Sequence, residues 1–106
     1  MSLTGKYYCS EINATLVIQN SNDSNGQANG SITIDNVTID INIHYHFENN
    51  VGPVTDLNFK GQKDNPNYYV GGSGRTTTPD FSVIRIAGGY PTANDVNTFE
   101  GSFHRQ

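Results

Sequence analysis

Residues 37–47, VTIDINIHYHF, alternate almost without fault between apolar and polar side chains. Val37, Ile39, Ile41, Ile43, Tyr45 and Phe47 share one parity, and Thr38, Asp40, Asn42, His44 and His46 share the other. A period of two is the period of a strand, so this segment reads as one long strand, buried on one side and wet on the other. Its length predicts a bend or bulge along it. Such a strand needs partners for its backbone groups on both edges.

The rest of the chain supplies them. The chain has 106 residues, the size of one domain. Ile, Val and Thr number 26, against eight for Leu, Ala and Met. β-Branched side chains lose χ1 freedom in a helix and suit pleated strands. Asparagine, with 14 copies, favours turns because its side chain bonds nearby backbone and tolerates left-handed geometry. Further strands are expected at 3–10, 13–19, 31–34, 55–60, 68–70, 81–87 and 98–105. Turns are expected at Asn20–Gly30, Asn49–Pro53 and Asp64–Asn67, and Asp35-Asn36 reads as a bulge. Gly71–Pro79 reads as a flexible loop at a mouth of the fold, and 88–97 as a connection. No stretch keeps the apolar spacing of a helix for three turns. About eight strands with short connections predict an all-β fold, a single eight-stranded antiparallel up-and-down barrel spanning 1–106, whose interior holds side chains or one small ligand.

The two ends of the chain carry a resemblance. The first strand has Leu3-Thr4-Gly5-Lys6-Tyr7, and the last has Phe99-Glu100-Gly101-Ser102-Phe103-His104-Arg105. This is similar to avidin and lipocalin-type barrels, which open with Gly-x-Trp and end with an Arg that packs over that ring. The version here resembles avidin, and so do the apolar strand to Ile18, the polar turn with Gly26 and the return through Gly30-Ser31-Ile32. The resemblance implies an avidin-like barrel with Arg105 stacked on Tyr7, and association of barrels through their faces into a homo-oligomer. It also marks departures. Tyr7 stands where the family has Trp, and the chain has no tryptophan to build an aromatic box around biotin. Gly101 stands where an acid or amide is expected, and Cys9 and Ile32 where polar ligands to a ureido group are expected. The resemblance therefore implies the scaffold without biotin specificity.

Other classes fare worse. Net charge is -4, and the six Lys and Arg are scattered, so neither nucleic acid nor an anionic membrane is an expected partner. Cys9 is the only cysteine, which excludes an intrachain disulfide and reads as a small buried apolar residue. Ser, His and Asp occur without a nucleophile elbow, and Gly71-Gly72-Ser73-Gly74-Arg75 lacks the Lys-Ser/Thr of a P-loop, so no catalytic residue and no cofactor is expected. His44, His46 and Glu48 share a strand face, which leaves a metal-dependent barrel enzyme as an alternative to their being a solvated face, and no metal is expected there. The expected function is binding of a small molecule, with Tyr7, Tyr45 and Tyr69 as pocket residues and Phe103 packed beneath. Tyr68, Tyr69 and Tyr90, near turns, are placed to ring a mouth, and with the Asn-rich turns they leave a sugar-binding lectin as the other alternative.

Overall fold

A computed structural model of the chain describes residues 2–47, 54–63, 68–76, 78, 80–91 and 96–106. Eight strands follow one another: β1 (Gly5–Cys9), β2 (Ala14–Asn22), β3 (Gln27–Ile34), β4 (Val37–Phe47), β5 (Thr55–Lys63), β6 (Tyr68–Thr76), β7 (Val83–Pro91) and β8 (Val96–Arg105). Each pairs antiparallel with the next, and β8 returns to β1, closing a barrel. The expected eight-stranded up-and-down architecture is present.

The alternation that predicted β4 also decides its orientation. Ile39, Ile41, Ile43 and Tyr45 are buried, while Thr38, Asp40, Asn42, His44 and His46 are exposed. The same parity rule runs round the wall. Tyr7, Leu16, Ile18, Ile32, Leu57, Phe59, Ile84, Ile86 and Phe103 all point inward and fill the interior. The barrel is packed through its middle, and the removal of this apolar surface from water is its main source of stability.

Five expectations need correction. β4 pairs continuously with β3 and β5, and neither ladder has a register shift. The irregularity lies instead between β2 and β3, between Gln19 and Asn22. The 20–30 turn is shorter than its composition suggested, because β2 runs to Asn22 and β3 begins at Gln27. Asp35 and Asn36 are a two-residue turn, with φ 53° and 64°, rather than a bulge; positive φ at both central residues matches the twist of the flanking strands. Gly71–Thr76 is strand, and so are 88–91 and 96–97. Glycine at position 72 is what permits the first of these, since a Cβ there would lie 2.6 Å from the Ala87 carbonyl oxygen. The expected turns at 49–53 and 64–67 lie outside the described residues.

The β1–β8 seam has few ladder pairs, Tyr7 with Arg105 and Tyr8 with His104. Side chains reinforce both sides of it. Glu11 Oε1 accepts the Ser102 N–H at 3.0 Å. Arg105 donates to the Ser2 carbonyl at 3.0 Å, the Thr4 carbonyl at 2.8 Å and the Tyr7 hydroxyl at 2.8 Å. Its guanidinium lies over the Tyr7 ring, 5.5 Å from the centroid, as the terminal motifs imply.

Candidate functional site

The two ends of the barrel differ. At one end the chain termini, the β2–β3 turn and the Arg105–Tyr7 contact lie together. Tyr7 is fully buried, donates to the Leu3 carbonyl at 2.7 Å and has its pKa raised above 10.0 by burial, with Arg105 opposing. Tyr45 is buried near the same end and donates to Asp23 Oδ1 at 2.6 Å. Burial first, and that hydrogen bond second, hold its pKa far above the ordinary phenol value. Tyr45 also packs edge-on against Phe47, centroids 5.6 Å apart. These residues form a plug.

At the other end, where β3 turns into β4, lies a cavity of about 140 Å³ lined by residues of β3, β4, β6, β7 and β8. Ile32, Ile34 and Ile39 from β3 and β4 and Val70 from β6 form its buried wall. Val37, Tyr68, Tyr90, Asp35 and Asn97 stand at its rim. Asp35, in the tight two-residue turn with Asn36, belongs to the lining at the mouth. Tyr90 donates to Asp35 Oδ2 at 2.7 Å, and this bond, ahead of burial, raises its pKa. Its ring rests on Phe99, with centroids 6.0 Å apart.

The four residues expected to form the pocket do not meet around this cavity. Tyr7 and Phe103 are both 0% exposed in the core. Tyr45 belongs to the plugged end, where it borders only shallow surface hollows. Tyr69 points outward from β6 and is 48% exposed. Its neighbour Tyr68 has the inward parity and reaches the cavity. Tyr68 and Tyr90 had a signal in the sequence, as aromatic residues beside turns. Asp35 had none beyond its turn, and the aliphatic lining is indistinguishable in sequence from core.

A larger depression, about 560 Å³, lies on the outer wall over β5–β8. It is open, and the charged groups there already pair with one another, Arg85 with Glu100 at 2.6 Å and Arg75 with Asp56. His44 and His46 are on the outer face of β4. Glu48 lies outside the described residues, and among the described residues no group of three His, Cys, Asp or Glu is placed to hold a metal ion. No described helix is long and apolar enough to cross a membrane, which says nothing of strands.

Neither the protein-family models nor the curated proteins contain a match to this chain. Among solved structures, the chain is similar to a single-substitution variant of shwanavidin, crystallised as a biotin complex. The two superpose with a TM-score of 0.61 at 15% identity, over 100% of this chain and 99% of that one. The fold of this chain is therefore the avidin-like barrel that its terminal motifs imply.

Proposed function

We propose that the chain is a non-enzymatic barrel that binds a small ligand, other than biotin, in the cavity bounded by Ile32, Val70, Tyr68 and Tyr90. The observation that carries this reading is the cavity itself, an apolar pit with a few polar groups gathered at one edge of its rim. That is the usual anatomy of a small-molecule site. Its size limits the occupant. A dry apolar cavity of about 150 Å³ takes a benzene-sized molecule, so about 140 Å³ fits one ring or a short branched chain, with the remainder outside the mouth.

Biotin's fused ring pair is larger than that. The lining also supports a different specificity, since Ile32 is an aliphatic wall residue where the family resemblance calls for a polar group. A sugar reading is less well served, because most of the wall offers no hydrogen-bonding group to a polyol. A catalytic reading would need a nucleophile or base in the cavity. The described lining has the Asp35 carboxylate, bonded to the Tyr90 hydroxyl, and no Ser, Thr, Cys, His or Lys beside it to make a catalytic pair.

The test is titration of isotope-labelled protein with benzyl alcohol and, separately, with biotin, followed by methyl and amide NMR. The expected result is saturable shifts at Ile32, Ile39, Val70, Tyr68 and Tyr90 with benzyl alcohol and none with biotin. Val37→Phe, which fills the mouth from a half-buried position, should abolish them. Shifts from benzyl alcohol that are absent at these residues, or that survive Val37→Phe, would refute the reading.

A further inference from the structure

The cavity has an electrical polarity that its apolar walls conceal. Among the described residues of the lining, Asp35 is the charged one, and there is no Lys, Arg or His. Its carboxylate is positioned from two sides. The backbone sits in the left-handed region at φ 53°, and the Tyr90 hydroxyl donates to Oδ2 at 2.7 Å. An ionised carboxylate offers about four acceptor sites, so one bond from Tyr90 leaves acceptor capacity facing the mouth. The Tyr90 oxygen, having donated its proton, also has lone pairs free to accept. Tyr68 and Tyr90 add two aromatic rings at the same rim, and ring faces attract cations. The Phe99 ring behind Tyr90 holds that ring in place. Overall net charge, -4, acts in the same sense at long range.

Resting on the reading of this cavity as the ligand site, we propose that it selects amines: a ring-sized apolar body held among Ile32, Ile34, Ile39 and Val70, with an ammonium head at Asp35 and Tyr90. An ammonium has three donors, enough to reach both the carboxylate and the phenol oxygen. A carboxylate head at the same place meets a like charge, with no cation among the described lining residues to offset it. The site therefore discriminates by head group more than by body.

Benzylamine, benzyl alcohol and benzoate share one ring and differ in the head, so they separate the two contributions. Dissociation constants are measured by NMR titration at neutral pH and low salt. Benzylamine should bind about tenfold more tightly than benzyl alcohol, the gain from a charge-assisted hydrogen bond at a partly exposed site. Benzoate should bind more weakly than either. Asp35→Asn should remove the preference for benzylamine over benzyl alcohol. Asn tolerates the left-handed backbone of this turn, so the variant keeps the fold. Equal affinity for benzylamine and benzyl alcohol, or a preference that persists in Asp35→Asn, overturns amine selectivity and leaves the cavity reading standing. Absence of binding by all three overturns both.

Discussion

The thiol of Cys9 occupies the space that a side chain at Gly101 would need, and a Cβ built on Gly101 would collide with Cys9 Sγ. Both positions depart from the avidin pattern in residue type, and the structure makes the two departures one. A polar side chain at 101 would require the Cys9 sulfur to be gone. Gly101→Ala should cost about 1–3 kcal/mol through overpacking. In a Cys9→Ala background the same change should cost less by at least about 1 kcal/mol, a coupling expected of residues in contact. Urea unfolding of the four-corner cycle measures it, and additive effects would contradict the contact.

The Tyr7 hydroxyl both donates to the Leu3 carbonyl and accepts from Arg105. Tyr7→Phe takes the phenol donor from the buried Leu3 carbonyl and one acceptor from the half-buried Arg105, and should cost about 1–3 kcal/mol. Arg105→Lys should also destabilise, because one ammonium cannot reproduce a planar fork that spans Ser2, Thr4 and Tyr7. Thermal melts read both, at about 4–8 °C per kcal/mol for a domain near this size. A Tyr7→Phe variant as stable as the parent would show that Arg105 does not depend on the phenol.

Tyr7, Tyr45 and Tyr90 all have pKa values raised in the folded chain. The unfolded chain releases these protons first, near pH 10.0. Above that pH the folded state holds more protons than the unfolded one, so stability falls as pH rises. Below it, the contribution of these phenols is fully present. Urea midpoints followed from about pH 8 to about pH 12 should decline through the upper half of that range. Tyr45→Phe, removing the most strongly shifted of the three, should flatten the decline. A profile no different from the parent's would remove Tyr45 as its source.

Asn36 holds φ 64° in the β3–β4 turn, one of two adjacent residues in the left-handed region. Asp-Gly is a favoured pair for such a turn, since glycine occupies positive φ without a Cβ conflict. Asn36→Gly should stabilise the chain by a few tenths to about 1 kcal/mol, read by thermal unfolding. Destabilisation would mean that the Asn36 side chain contributes more than its backbone strain removes.

Much of this barrel was legible in the sequence because its cause is local. The alternation from Val37 to Phe47 states which face is buried, and the structure places Ile39, Ile41 and Ile43 inward as written there. The terminal motifs likewise lead to the Arg105–Tyr7 contact. Gly71–Thr76 has the composition of a loop, but Gly72 and Gly74 make room for the backbone of the neighbouring strand β7, a tertiary demand that composition alone does not show. The cavity was least visible. Tyr45 faces inward by parity, while the structure turns Tyr68 rather than the expected Tyr69 inward, and only the closure of the barrel decides that Tyr45 lies at the plugged end and Tyr68 at the open one. Ile32 and Val70 line the cavity through their depth in the barrel, and depth has no period in the sequence.

The central claim is that the open end of the barrel receives a small ring. Intermolecular NOEs between benzyl alcohol and methyl-labelled protein test it most directly, since they report contact and need no assumption about head group. The account predicts NOEs from the ring protons to the methyls of Ile32, Ile39 and Val70. NOEs confined to the outer wall around Ala87, or none at saturating ligand, would contradict it.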